Sequence, residues 1–112
     1  MLNIYFRFLN LTRALESLPG HPRLEAGDAK LLEILAMAWH DGKALTVSEA
    51  MLEEVVGAPA TIYRKLRKLQ EAGFVDVIEL ETDRRMKFVL PSADALKYFK
   101  RIADCMTKAR AG

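Results

Sequence analysis

The sequence predicts a mainly α-helical α+β fold with a single β-hairpin, and three observations predict it. The composition, with 112 residues, 51% of them hydrophobic and only four prolines, is typical of one globular domain, 1–112. Apolar residues recur over most of the chain at the three- and four-residue spacing of a helix. Only "FVDVIELE" and "MKFVL" change to the period of two that β-strands have, and the polar "TDRR" between them is typical of a hairpin tip.

The composition also argues against several classes of protein. A formal charge of +2 is too mild to identify a partner, so the distribution of charge has to do so. Cys105 is the single cysteine, which excludes an intramolecular disulfide framework and favours a reducing cytoplasm. We expect it to be a small packed side chain, although a redox sensor is the alternative.

No pattern in the sequence predicts catalysis. His21 and His40 are too far apart to form a paired metal motif, and neither has the setting of a catalytic base. The chain contains no glycine-rich phosphate loop, paired-carboxylate signature or nucleophile with a neighbouring base. We therefore predict that the protein is not an enzyme and uses no cofactor and no metal.

The first segment, 1–18, predicts a helix with an unusually wide apolar surface. One apolar stripe has helical spacing and consists of Ile4, Phe8, Leu11, Leu15 and Leu18. Polar residues interrupt the segment, which argues against a targeting sequence and against a membrane span. Since a second apolar group lies beside the stripe, the helix buries either two sides within its own domain or one side against a partner subunit.

The central segment, 28–91, predicts a compact core. After the helix-breaking "PGHPRLEAGD", Asp28 is expected to cap a helix that ends at Gly42. "LTVSEAMLEEVV" predicts a short amphipathic helix, in which Thr46 and Glu49 form a capping box and which Gly57 ends.

A further helix, 59–72, begins with proline and has a buried face of Ile62, Leu66 and Leu69. This helix follows the previous one after a turn of only two or three residues, and two helices joined in this way form a helix-turn-helix. A β-hairpin directly after the second helix is a wing. Ser92 is expected to cap the C-terminal helix, 92–112. The predicted architecture is a winged helix-turn-helix with flanking N- and C-terminal dimerisation helices.

The candidate site is the face of helix 59–72 that lies opposite its buried side. This face carries Ala60, Tyr63, Arg64, Arg67 and Lys68, with Thr61 and Lys65 at its margins. Such a helix fits the major groove of DNA, where arginine pairs with guanine and lysine meets phosphate. The hairpin tip, 82–87, adds a second basic group of Arg84, Arg85 and Lys87, which suits the minor groove. A basic helix face alone would be ordinary, but its combination with a wing predicts nucleic-acid binding.

The chain resembles the winged helix-turn-helix regulators of the MarR (multiple antibiotic resistance regulator) family. The matching segments are "LTVSEA", "PATIYRKLRKLQEAGFV" and "DRR". The resemblance implies a cytoplasmic, homodimeric transcription factor that binds double-stranded DNA. It implies that Ala60, Thr61, Tyr63 and Arg64 approach bases and phosphates, and that Arg84 or Arg85 enters the minor groove.

The turn before helix 59–72 departs from the family pattern. "VVGAPAT" has Ala58 where a serine cap is usual, so we predict a weakly capped helix start. The chain is also short for a small-molecule effector pocket, and the presence of an effector stays open. The alternative function is a winged-helix protein–protein interaction module whose basic face meets an acidic protein rather than DNA.

Overall fold

The structure, a computed structural model, describes residues 2–19, 21, 24–83 and 85–111. Its elements in chain order are α1 Leu2–Glu16, α2 Ala26–His40, α3 Val47–Ala50, α4 Pro59–Glu71, β1 Val75–Glu79, β2 Lys87–Pro91 and α5 Ala93–Ala111. These elements form two compact units, one of residues 24–95 and one of residues 1–23 with 96–112. The first will be called the winged unit and the second the terminal-helix unit.

The core of the winged unit lies where α2 packs against α4. Each helix contributes apolar side chains at helical spacing that are almost completely buried. They are Leu31, Leu32 and Leu35 from α2 and Ile62, Leu66 and Leu69 from α4. The predicted buried face of the 59–72 helix is thus confirmed, and its opposite face is the one left to solvent.

The hairpin is an antiparallel pair in which Val75 faces Pro91 and Glu79 faces Lys87. The segment before α3 extends this pair, because the Val89 N–H donates to the Leu45 carbonyl at 2.9 Å. A second tie comes from α2, where the indole Nε1–H of Trp39 donates to the Val89 carbonyl at 2.8 Å. The wing is therefore held to the helical core at its second strand.

The end of α4, the hairpin and the start of α5 meet at Ser92. Gly73 ends α4 with a φ of +83°, a conformation that other residues rarely adopt. The Ser92 hydroxyl donates to the Gly73 carbonyl at 2.6 Å and accepts the N–H of Ala95 at 3.0 Å. The predicted cap of the C-terminal helix is confirmed, and the same hydroxyl also fixes the corner between α4 and β1.

Two predicted boundaries were wrong. Helix α2 begins one turn earlier than expected, with Glu25 at its N-cap, and Asp28 lies inside its first turn. The predicted capping box of Thr46 and Glu49 is present, but α3 ends at Ala50 and continues as isolated turns. Leu52 and Val55, which would have extended its apolar face, are exposed, so packing does not support a longer helix.

The terminal-helix unit consists of α1 and most of α5. The described residues of α1 include none that is buried. On α5 the small side chains Cys105 and Ala109 are buried, whereas the larger Met106 is 55% exposed. The Arg7 guanidinium donates to the Ala109 carbonyl at 3.3 Å. Much of the apolar surface of this unit is therefore left without cover.

Candidate nucleic-acid interface

The exposed face of α4 carries the side chains that the sequence assigned to it. Ala60, Tyr63, Arg64, Arg67 and Lys68 are exposed, and Thr61 is half-buried at the margin. The arrangement follows from the burial of the opposite face, since a helix with one apolar stripe turns its other residues outward. The structure thus places these predicted site residues on one side of α4. The charged groups of Arg64, Arg67 and Lys68 nevertheless have different surroundings.

Arg64 has the least restrained charge on this face. Its Nη2 donates to the Thr61 hydroxyl at 3.4 Å, which is a weak exposed contact. Among the residues that the structure describes, no carboxylate forms an ion pair with Arg64. Its fork of N–H donors is consequently available to a planar acceptor such as the edge of guanine.

Arg67 lies beside Tyr63 and Glu71 on the same helix. Its hydrogen bond with the Tyr63 phenol, and then the electrostatic attraction of Tyr63 and Glu71, raise the pKa of Arg67 above its ordinary value. The ion pair with Glu71 is 3.8 Å long, and both partners are more than half exposed. Such a pair contributes little to stability, so Arg67 can exchange this carboxylate for a phosphate at small cost.

The described cations of the wing lie beside acidic residues of the hairpin. The Asp83 carboxylate accepts from the Arg85 backbone N–H at 3.0 Å and from its Nε at 3.4 Å, while the Arg85 side chain is 94% exposed. Lys87 pairs across the strands with Glu79 at 3.8 Å. Arg84, the other predicted wing contact, lies outside the described residues.

A cleft of about 490 Å³ lies between α4 and the hairpin. Tyr63 and Arg67 line it from the helix, and Glu79 and Lys87 line it from the strands. The structure therefore brings one cation of each predicted basic group to a common cleft.

The two lysines of α4, Lys65 and Lys68, form ion pairs with acidic residues at the start of α2. Lys68 Nζ lies 2.9 Å from Asp28 Oδ2 and 3.3 Å from Glu25 Oε1, and Lys65 Nζ lies 3.7 Å from Asp28 Oδ1. The hydrogen bond to Asp28, followed by that to Glu25, raises the pKa of Lys68 above its ordinary value. Sequence reasoning missed both acidic partners, because local spacing gives no signal for pairing between distant helices.

Three further observations bear on function. In the part of the chain that the structure describes, no group of three or more histidine, cysteine, aspartate or glutamate side chains is placed to hold a metal ion. None of the described helices has the length and apolarity needed to cross a membrane. Cys105 is free and buried.

Helix α3, the turn, α4 and the hairpin define a winged helix-turn-helix protein. No protein-family model matches the chain, and no curated protein is similar to it in sequence. The fold is nevertheless the MarR-like form of this class, since solved structures of such regulators match nearly the whole chain.

Three of these structures illustrate the similarity. A MepR point mutant from S. aureus, bound to an oligodeoxyribonucleotide, has a TM-score of 0.68 at 15% identity over 96% of this chain and 72% of its own. AbsC, a MarR family transcriptional regulator from Streptomyces coelicolor, has a TM-score of 0.60 at 16% identity over 96% and 69%. The heme sensor PefR from Streptococcus agalactiae, in complex with heme, has a TM-score of 0.59 at 15% identity over 96% and 69%.

Proposed function

We propose that this protein is a sequence-specific, double-stranded-DNA-binding transcriptional regulator that acts in the cytoplasm as a homodimer. The observation that carries the proposal is the cleft between α4 and the hairpin, which Arg67 lines from the helix and Lys87 lines from the strands, each beside an exposed carboxylate that phosphate can replace. An α-helix fits the major groove of B-DNA, and a wing beside it reaches the minor groove or its phosphates. The likeness in fold to a protein bound to an oligodeoxyribonucleotide supports the same use of this surface.

The contact residues are assigned by exposure and charge. Arg64 is the main candidate for a base contact, because its guanidinium is exposed and pairs with no described carboxylate. The neighbouring contacts on α4 are Ala60, Thr61, Tyr63 and Arg67.

At the wing, Arg85 enters the minor groove and Lys87 meets phosphate, since both side chains are exposed near the hairpin tip, 82–87. Arg84 is assigned to the minor groove on the sequence resemblance alone.

Self-association rests on the apolar surface of the terminal-helix unit. A groove of about 380 Å³ is lined almost entirely by apolar side chains, namely Ile4, Tyr5, Phe8, Met106 and Ala109. Contiguous exposed apolar surface of this kind marks protein–protein interfaces. A symmetric dimer predicts a near-palindromic DNA site with half-sites about 34 Å, or one helical turn, apart.

The first test is fluorescence anisotropy of a labelled random duplex titrated with protein at several salt concentrations. If each subunit neutralises about four phosphates, log K should fall with log salt at a slope of about −7. The Arg64→Ala/Arg85→Ala variant should lose most of this binding.

The matched control changes two cations of α5 that lie far from α4 in sequence. Lys97→Ala/Lys100→Ala should bind the duplex like wild type, because both lysines are exposed and outside the proposed site. A slope near zero in wild-type protein that is shown to be folded would contradict DNA binding.

One observation favours the alternative of a protein-interaction module. Ion pairs already occupy Arg67, Lys68, Arg85 and Lys87, which lowers the positive potential of the face. A folded protein that does not bind duplex, but whose Arg64 is needed to bind an acidic polypeptide, would support that alternative.

A further inference from the structure

Asp28 is a buried carboxylate at the junction of α2 and α4. It is only 2% exposed, and each of its oxygens faces a lysine of α4. Lys68 Nζ lies 2.9 Å from Oδ2, and Lys65 Nζ lies 3.7 Å from Oδ1, which accepts no hydrogen bond from a described residue. The negative charge of Asp28 is thus compensated by cations that belong to the proposed recognition helix.

The first turn of α2 is shaped to admit these lysines. A Cβ atom at Gly27 would lie 2.6 Å from Lys65 Nζ, so the lysine passes over the helix where a side chain is missing. Glu25, at the N-cap, adds a second carboxylate oxygen 3.3 Å from Lys68 Nζ. Together Glu25 and Asp28 draw the Lys68 ammonium toward α2.

The ion pair of Asp28 with Lys68 differs from the other ion pairs of the proposed DNA-binding site because Asp28 is buried. Arg67 pairs with Glu71, and Lys87 with Glu79, and in both pairs the two side chains are at least half exposed. Exposed pairs of this kind contribute little, so phosphate can replace the carboxylate. If Lys68 turned to a phosphate, it would leave a buried charge without its closest partner, which is strongly unfavourable.

We propose that Asp28 is a positioning residue that withholds Lys68 and Lys65 from the DNA backbone. The role rests on the proposed DNA binding and deepens it, because among the cations of α4 it assigns the DNA contacts to Arg64 and Arg67 alone. Lys68, which the sequence pattern placed among the DNA contacts, becomes a tie between α2 and the recognition helix.

The test compares Lys68→Gln with Arg67→Gln in the salt dependence of binding to a random duplex. The two positions are matched, because the side chains are 54% and 57% exposed and each pairs with a carboxylate. For a dimer, Arg67→Gln should make the slope of log K shallower by about 1.8, or 0.9 per lost phosphate contact. Lys68→Gln should leave the slope at its wild-type value.

Removing the buried charge should release the lysine. Asp28→Asn should make the salt slope steeper, and adding Lys68→Gln to Asp28→Asn should reverse the part of that change that Lys68 contributes, while the released Lys65 accounts for the rest. Glu33→Gln, an acid-to-amide change at a 71% exposed position of α2, is the control and should leave the slope unchanged. A slope that Lys68→Gln makes as shallow as Arg67→Gln does would overturn the inference.

Stability measurements keep the inference testable if Asp28→Asn folds poorly. In urea, Asp28→Asn and Lys68→Gln should each lower the unfolding midpoint, and the loss in the double variant should be smaller than the sum of the two. Additive losses would show that the two side chains are not coupled and would overturn the tie. Absence of duplex binding by wild type would instead refute the proposed function and, with it, the withholding role.

Discussion

The indole of Trp39 shows how much one side chain contributes to the winged unit. Its Nε1–H donates to the carbonyl of Val89, a strand residue that is completely buried. Buried backbone carbonyls need a donor, and the loss of one partner leaves the other desolvated and unpaired. This hydrogen bond therefore helps to fix the hairpin on α2.

We predict that Trp39→Phe lowers the free energy of unfolding by about 1–3 kcal/mol, the cost of leaving a buried polar group without its donor. The measurement is urea denaturation followed by far-UV circular dichroism. Met37→Leu, at a 61% exposed position of the same helix, is the control and should change stability by less than about 0.5 kcal/mol. Equal losses in the two variants would contradict the role of the hydrogen bond.

At the scale of elements, the start of α4 is the weakest helix terminus of the proposed site. Ala58 occupies the N-cap with extended backbone angles, φ −69° and ψ 154°, and makes no side-chain hydrogen bond. The backbone is therefore already shaped for a capping residue, and only the acceptor oxygen is missing.

We predict that Ala58→Ser raises the free energy of unfolding by about 0.5–2 kcal/mol, because the new hydroxyl accepts an N–H of the first turn. Thermal unfolding would measure the gain. Ala58→Val adds bulk without an acceptor and should give no such gain. A gain in both variants would mean that the effect is not capping.

The capping box of α3 predicts a dependence on pH. The backbone N–H of Thr46 and then its hydroxyl hold the pKa of Glu49 below its ordinary value. Because the folded pKa is lowered, the stabilisation is present above the unfolded value of about 4.3 and is lost as pH falls through the folded value.

We predict that wild type is more stable than Glu49→Gln at neutral pH and that the difference shrinks below about pH 4, where the Glu49 carboxylate of the unfolded chain is already protonated. Urea midpoints at a series of pH values would measure it. Thr46→Val, which removes the other half of the box, should lose about 0.5–2 kcal/mol because the helix loses its N-cap hydrogen bond. A difference that stays constant with pH would contradict the proposed charge effect.

Local patterns in the sequence were sufficient to predict the elements that are determined by residue spacing and by capping side chains. The buried stripe of α4, the caps at Thr46 and Ser92 and the hairpin were all predicted, since spacing and cap chemistry determine them. The length of α3 was not, because Leu52 and Val55 continue the apolar pattern yet find no surface to bury them and are more than 70% exposed.

In the candidate site, too, the sequence predicted what one helix determines by itself, but not the ion pairs between helices. The outward face of α4 follows from its helical period, so Arg64 and Arg67 could be assigned from sequence. The partner of Lys68 could not, because an aspartate near the start of a helix is usually an N-cap. Only the packing of α2 against α4 brings the Asp28 carboxylate under the Lys68 ammonium.

At the scale of the whole molecule, the apolar groove of the terminal-helix unit predicts that two copies of the protein associate as a dimer. Wild type should have the mass of a dimer by size-exclusion chromatography with light scattering. Ile4→Glu places a charge in the groove beside Phe8 and Met106, and we predict that it shifts the protein toward monomer.

Asn10→Glu is the control for this assembly test. It adds the same charge at an exposed position of α1 that does not line the groove, and it should remain dimeric. A wild-type monomer at micromolar concentration, or a dimer that Ile4→Glu leaves intact, would contradict the assignment of this surface.

Since Trp39 is the single tryptophan of the sequence, all indole fluorescence of the molecule comes from one side chain, whose N–H donates a hydrogen bond to Val89 of the wing. Indole emission shifts to longer wavelength when the ring becomes hydrated. Any event that lifts β2 from α2 should therefore shift the emission, and any event that presses the hairpin onto the helix should protect the indole from a soluble quencher. The position of the wing is thus open to observation in the unlabelled protein, in real time, with and without a partner.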